Sequence, residues 1–293
     1  MFSGSIVALV TPMHPDGAVD WERLRALVEW HAAEGTDGIV AVGTTGESAT
    51  LEVDEHIEVI RRIVGYAAGR LPVLGGTGAN STTEAIELTR AAKGCGVRAC
   101  LLVTPYYNKP PQEGLYRHYK AVAAAVDVPI VLYNVPGRTG CDMLPATVKR
   151  LAEIPNVVGL KEAVGEPARI RELLALKLRP EFCLLSGDDA TACGAILAGF
   201  AGDISVTANV APKLMHEMCA AAQARDRKTA ETLDARLQPL HKHLFVEPNP
   251  IPVKWALEQM GRIESGIRLP LVPLDAAHQP TVRGALRASG VLN

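Results

Sequence analysis

The stretch Asn156-Val157-Val158-Gly159-Leu160-Lys161-Glu162 is a short apolar run with an amine at its end. Its length and aliphatic content read as a strand buried on both faces, the mark of a parallel sheet covered by helices. Side chains alternate along a strand, so Val157, Gly159 and Lys161 are expected on one face, with Gly159 leaving room beside the lysine's stem. An amine in that place has two readings. Burial disfavours an ammonium ion, which makes an interior lysine a candidate nucleophile near neutral pH. A strand-end lysine also snorkels to water without any chemistry.

Seven further runs of the same kind flank this one: Ile6 to Val10, Gly38 to Val42, Pro72 to Gly75, Ala99 to Val103, Pro129 to Tyr133, Phe182 to Ser186 and Asp203 to Val206. Between them lie amphipathic stretches such as Trp21 to Ala33, Asp54 to Tyr66, Thr82 to Lys93 and Gln112 to Ala125. Regular strand-helix alternation with eight strands predicts an α/β fold, a closed (β/α)₈ TIM barrel, over residues 1–224. A dinucleotide-binding open sheet is disfavoured, since no GxGxxG follows the first run. Beyond Arg225 the pattern is helical, over Asp226 to Leu244, Pro252 to Met260 and Leu274 to Ala288. Residues 225–293 are therefore expected to form a C-terminal helical extension, with the Pro-rich Glu247 to Pro252 as a stiff connector. The charged start of that region, Arg225-Asp226-Arg227-Lys228, reads as a solvated helix face.

With 293 residues and 48% hydrophobic content the chain can bury a full core. A formal net charge of -2 gives no global argument for nucleic acid or an anionic membrane as partner. There is no run of 18 apolar residues and no basic, apolar leader, so a cytoplasmic location is expected. The six cysteines are scattered without a CxxC pair, which suits reduced, packed thiols. No metal site is expected. His241 and His243 do not share a helical face, and the pairs Asp54-Glu55 and Asp188-Asp189 fit helix N-termini better than an acid/base dyad.

Barrel enzymes carry their chemistry at the C-terminal ends of the strands. Polar residues concentrate there in this chain. The second run leads into Gly43-Thr44-Thr45-Gly46-Glu47-Ser48, the third into Gly76-Thr77-Gly78-Ala79-Asn80 and the fourth into Thr104-Pro105-Tyr106-Tyr107-Asn108. The fifth ends in Tyr133-Asn134-Val135-Pro136-Gly137-Arg138, the sixth in Lys161, and the seventh in Ser186-Gly187-Asp188-Asp189. The Gly43 to Gly46 turn offers hydroxyls and N–H donors suited to a carboxylate, or is a plain strand-to-helix turn. Tyr133 shares the parity of Val131 and is expected to face the same interior as Lys161, as a proton donor or as a satisfied core tyrosine. Tyr106 and Tyr107 fit a subunit contact as well as a site, and Arg138 fits a carboxylate clamp as well as the surface.

Taken together, Gly43 to Ser48, Tyr106-Tyr107-Asn108, Tyr133 to Gly140 and Gly159-Leu160-Lys161-Glu162-Ala163 closely resemble the dihydrodipicolinate synthase family of pyruvate-dependent class I aldolases. The resemblance runs end to end and includes Ile204 to Asn209 and Leu244 to Lys254. It implies condensation of pyruvate with L-aspartate 4-semialdehyde through a Schiff base on Lys161, giving (4S)-4-hydroxy-2,3,4,5-tetrahydrodipicolinate in the diaminopimelate route to lysine. No metal or organic cofactor is implied. Tyr133, Thr44 and Tyr107 would form a proton relay, Tyr107 reaching in from a neighbouring subunit, and Arg138 would engage the semialdehyde carboxylate. Thr45, Ile204 and Gly187 would bind substrate. The implied assembly is a homotetramer, a dimer of tight dimers.

The same resemblance implies an L-lysine feedback site of Ser48, Ala49, His56, Asn80, Glu84 and Tyr106. Position 53, a histidine in lysine-sensitive members, is Val53 here, beside Glu52, so weak or absent inhibition is expected. Two other readings remain open at this level. One is another pyruvate-lysine aldolase such as N-acetylneuraminate lyase, against which Thr44-Thr45, Tyr107 and Arg138 count. The other is a non-catalytic ligand-binding barrel, against which the intact reactive set counts.

Overall fold

In the computed structural model, which describes residues 2–292, eight parallel strands close into a barrel in sequence order. The strands are β1 (Gly4–Ala8), β2 (Gly38–Ala41), β3 (Val73–Gly76), β4 (Ala99–Val103), β5 (Ile130–Asn134), β6 (Val157–Glu162), β7 (Cys183–Ser186) and β8 (Gly202–Ser205). The intervening helices are α1 (Trp21–Ala33), α2 (Val53–Ala67), α3 (Thr82–Gly94), α4 (Gln112–Ala125), the short α5 (Pro136–Thr139), α6 (Pro145–Ala152), α7 (Pro167–Ala175), α8 (Asp189–Ala198) and α9 (Pro212–Gln223). Then follow α10 (Arg227–His243), α11 (Ile251–Gln259) and α12 (Gln279–Ala288). No described helix is long and apolar enough to cross a membrane.

Local sequence sets the helix ends. Asp20 caps α1 by accepting from the Arg23 N–H at 2.9 Å, and Asp226 caps α10 through Thr229 at 3.1 Å. Ser81 accepts from the Glu84 N–H at 3.4 Å to open α3. Proline at the first helical position begins α6, α7 and α9, where its missing N–H costs nothing.

Two apolar layers result. Outward-facing strand residues such as Val7, Leu102, Leu132 and Leu160 join the inner faces of the helices in one extended core. Inward-facing residues such as Ile6, Val40, Leu74, Leu101, Val131, Leu185 and Ile204 fill the lumen. The C-terminal helices belong to the same body: α10 packs on α8, α9 and α12, and α11 on α12.

The structure corrects four details. β1 begins and ends two residues early, because the Val10 N–H goes to the Asn209 side chain at 3.0 Å instead of to a neighbouring strand. Val157 lies in the outer core, apart from Lys161, since the β5–β6 ladder shifts register between Ile130 and Val131. The space at Gly159 is taken by Cys183, whose Sγ would lie 2.5 Å from an added Cβ, so Gly159 does not accommodate the lysine stem. Finally, α12 starts at Gln279 and not Leu274. The Asp275 carboxylate accepts from the Ala277 N–H at 2.8 Å, an Asx turn that holds this segment out of the helix, while Leu274 is buried by tertiary packing.

Candidate active site at the mouth of the barrel

Lys161 sits near the C-terminal end of β6, registered between Tyr133 on β5 and Leu185 on β7. It is only 5% exposed, and its Nζ lies 4.4 Å from the centroid of the Tyr133 ring. Both side chains therefore enter the lumen at its C-terminal end. The room for the lysine comes from Gly187, just past β7, where an added Cβ would fall 2.7 Å from the Lys161 Cε and 2.9 Å from its Cγ. Ile204 on β8 is buried in the same lumen layer. The Tyr133 hydroxyl makes no hydrogen bond to another group among the described residues, leaving it open to a substrate.

Across the mouth, Thr45 lies buried in the turn after β2, with Thr44 half-buried beside it. The Asn249 Nδ2 donates to the Thr45 Oγ1 at 2.9 Å, and the Asn249 carbonyl accepts from the Arg138 Nη2 at 3.5 Å. Two residues beyond Thr45, Glu47 takes a left-handed φ of 59° and forms a buried ion pair with Lys254 on α11. Its second oxygen accepts from the Arg268 N–H at 3.2 Å. Burial pulls the Lys254 amine down while Glu47 pushes it back up. The Pro-rich connector Glu247 to Pro252 thus also reaches the mouth, a role its residues alone did not signal. Its lone polar residue between two prolines has its partner 204 positions away.

Tyr107 stands apart. It is 89% exposed, its backbone has a left-handed φ of 71°, and its N–H reaches the Thr139 carbonyl at 3.4 Å. The chain thus presents this phenol outward and does not bring it to its own Lys161. Tyr106 is also exposed, with its phenol pushed up by burial and by the Glu84 carboxylate. Asn108 donates to the Asn80 carbonyl at 2.9 Å, so Asn80, Glu84 and Tyr106 form one neighbourhood. Ser48 is half-buried and Ala49 exposed nearby in sequence, whereas His56 is buried and its Nε2 donates to the Gly76 carbonyl at 2.7 Å. Burial lowers the His56 pKa, partly offset by that bond. Val53 opens α2 and is 56% exposed.

Beneath the mouth two polar networks escaped sequence reading. Glu162 points away from Lys161 and accepts from Asn134 at 3.0 Å, from the Val164 N–H at 2.9 Å and from Arg169 at 3.3 Å. Burial nevertheless pushes its carboxyl up to about 7. Asp189 is no ordinary helix-end acid, since its Oδ2 accepts from the Val206 and Thr207 N–H groups at 3.1 and 2.8 Å and so pins the turn after β8. Burial and the neighbouring Asp189 raise the Asp203 carboxyl well above its usual range. Burial opposes ionisation of Asp189 too, but His241, Asp203 and the Thr207 N–H hold it below its ordinary value. Among the described residues, the only three-residue group with converging metal-ligand atoms is His14, Asp20 and Glu264, which shares no residue with the mouth. Arg23 already neutralises Asp20 there, at 3.3 Å.

A buried amine on a phenol, at a mouth that also carries threonine hydroxyls and a guanidinium, can form an imine with a small keto acid and move protons around it. Comparison with known proteins narrows this further. The sequence model of the Dihydrodipicolinate synthetase family matches residues 1–289. The 4-hydroxy-tetrahydrodipicolinate synthase of Methylococcus capsulatus is 66% identical over 293 residues, covering 100% of both chains. That of Alcanivorax borkumensis is 64% identical over 292 residues, covering 100% of this chain and 99% of the relative. The crystal structure of the chloride-inhibited dihydrodipicolinate synthase from Acinetobacter baumannii, complexed with pyruvate, superposes with a TM-score of 0.98 at 56% identity, covering 100% of each chain.

Proposed function

The chain belongs to the dihydrodipicolinate synthetase family, and from that membership and the mouth geometry we propose that it condenses pyruvate with L-aspartate 4-semialdehyde on Lys161. The observation that carries this reading is the buried Lys161 amine held over Tyr133 at the C-terminal end of β6.

The Lys161 Nζ adds to the pyruvate ketone, water leaves, and an imine forms. Loss of a methyl proton gives an enamine, the imine nitrogen acting as the electron sink, so the carbon-carbon step needs no other cofactor. The enamine carbon attacks the aldehyde, and the resulting alkoxide takes up a proton. The semialdehyde's own amine then adds to the imine carbon, closes the ring and expels Lys161, giving (4S)-4-hydroxy-2,3,4,5-tetrahydrodipicolinate.

Tyr133 and Thr44 carry protons to and from the carbinolamine and alkoxide. Tyr107 completes that relay from a neighbouring subunit, which its 89% exposure supports. Thr45 donates to the pyruvate carboxylate, Ile204 and Gly187 contact the bound substrate, Gly187 also making room for the lysine stem, and Arg138 clamps the semialdehyde carboxylate. A homotetramer built from tight dimers follows as the assembly in which the site is complete. Residues 1–224 form the catalytic unit and 225–293 its helical extension. Six free cysteines suit a reducing cytoplasm.

A coupled assay decides the substrate. Turnover is expected with pyruvate plus L-aspartate 4-semialdehyde and not with N-acetylneuraminate or keto-gluconate, and the reverse pattern would overturn the assignment. The feedback set Ser48, Ala49, His56, Asn80, Glu84 and Tyr106 carries an apolar Val53 at its edge, so L-lysine is expected to inhibit weakly or not at all. Initial rates against rising L-lysine check this, and strong inhibition at sub-millimolar concentration contradicts it.

A further inference from the structure

Asn249 occupies the turn between α10 and α11, far in sequence from every strand end, yet it touches both groups proposed to bind substrate carboxylates. Its side chain is 95% or so buried, at 5% exposure, and its Nδ2 donates to the Thr45 Oγ1 at 2.9 Å. Its backbone carbonyl accepts from the Arg138 Nη2 at 3.5 Å. The segment carrying it is fastened by the buried Lys254–Glu47 ion pair, which ties α11 to the same turn that holds Thr45.

A hydroxyl has one proton and two lone pairs. With an amide N–H donating into a lone pair, the Thr45 proton is left to point elsewhere, and no protein acceptor takes it among the described residues. Donation into an oxygen also polarises it and strengthens its own outgoing bond. In this amide orientation, which leaves the buried Asn249 Oδ1 without a partner, the Thr45 hydroxyl is available as a donor, the role a carboxylate demands because it only accepts. An unrestrained hydroxyl would spend part of its time presenting lone pairs to the anion.

We propose that Asn249 is a positioning residue: its amide fixes the Thr45 hydroxyl as a donor to the pyruvate carboxylate, while its carbonyl anchors Arg138. The proposal rests on the Schiff-base reading above and adds to it the group that sets the pocket's hydrogen-bond polarity. The two arms of Asn249 are separable, since side-chain replacement leaves the carbonyl in place.

Steady-state kinetics and pyruvate-dependent borohydride trapping of wild type, Asn249→Ala, Asn249→Asp and Thr45→Val test it. Asn249→Ala is expected to raise the pyruvate KM about 10-fold, with kcat and the semialdehyde KM changed less than about 3-fold. Asn249→Asp, of equal size, takes the Thr45 proton and adds a negative charge, so the rise is expected to reach about 100-fold. In a Thr45→Val background, Asn249→Ala is expected to add nothing further. Pyruvate saturation of Asn249→Asp equal to wild type would overturn the proposal, as would full additivity with Thr45→Val. Should Asn249→Ala fail to fold, the isosteric Asp variant carries the decision. Trapping of wild type separates the two claims. An untrapped wild type sinks the Schiff-base reading, whereas a trapped wild type with unaltered saturation in Asn249→Asp sinks only the role given to Asn249.

Discussion

Leu160 and Lys161 are adjacent on β6 and face opposite surroundings. Leu160 joins the apolar shell between strands and helices, and Lys161 enters the lumen against Tyr133 and the space left by Gly187. One layer is packed for stability, and the other ends in a polar mouth where an amine is kept from water without an acidic partner within salt-bridge distance among the described residues. The lesson of this contrast is that shell substitutions should change the melting transition and mouth substitutions the turnover, with little crossing between them.

The largest effect expected of any substitution comes from this pair. Lys161→Ala should lower turnover by on the order of 10⁴-fold or more while the protein still melts cooperatively. Leu160→Ala should instead cost about 3 kcal/mol of stability and leave kcat within about 2-fold. Parallel kinetics and thermal melts of the two variants check the division, and a Leu160→Ala enzyme that lost activity without losing stability would break it. Next in size is Tyr107→Phe, which should lose about 100-fold in kcat with an unchanged melt, since the exposed ring holds nothing inside its own chain. Wild-type rates in that variant would remove the inter-subunit relay. Gly187→Ala tests how tightly the lumen fits its amine. An added Cβ 2.7 Å from the Lys161 Cε must displace the stem, so a kcat about 10-fold lower is expected, together with slower trapping by pyruvate.

Glu162 gives the smallest and most exact probe, because it lies next to Lys161 but belongs to the shell side. Burial raises its carboxyl from 4.5 to about 7. Between those values the folded chain keeps a proton that the unfolded chain has lost, so stability falls as pH rises through this window and levels off above it. Glu162→Gln should flatten the slope. Denaturant titrations at about pH 5 and about pH 8 should show wild type losing roughly 2 kcal/mol more than the variant across that span. Parallel slopes would contradict the assignment.

The strands were legible because each is buried on both faces and so reads as an uninterrupted aliphatic run. Ala99–Val103, Trp21–Ala33 and Gln112–Ala125 match their expected bounds, and the other strands lie within two residues of theirs. Lys161, Tyr133 and Thr45 were visible for the related reason that polar groups stand out at the ends of such runs. What stayed hidden depends on the meeting of distant segments. The register shift opposite Ile130 removes Val157 from the lumen, and no alternation rule within β6 reports it. Asn249 meets Thr45 across 204 positions, and Cys183 claims the space at Gly159 that the lysine was expected to use. Leu274 is apolar at helical spacing from α12, yet its backbone is held in a turn by Asp275.

All of these contrasts depend on Lys161 being the amine that takes pyruvate. Incubation with pyruvate followed by borohydride reduction and peptide mass spectrometry reads this directly. The reduced pyruvate adduct is expected on Lys161 alone, and absent from a folded Lys161→Ala variant. An adduct on another lysine, or an unmodified Lys161 at saturating pyruvate, would contradict the account.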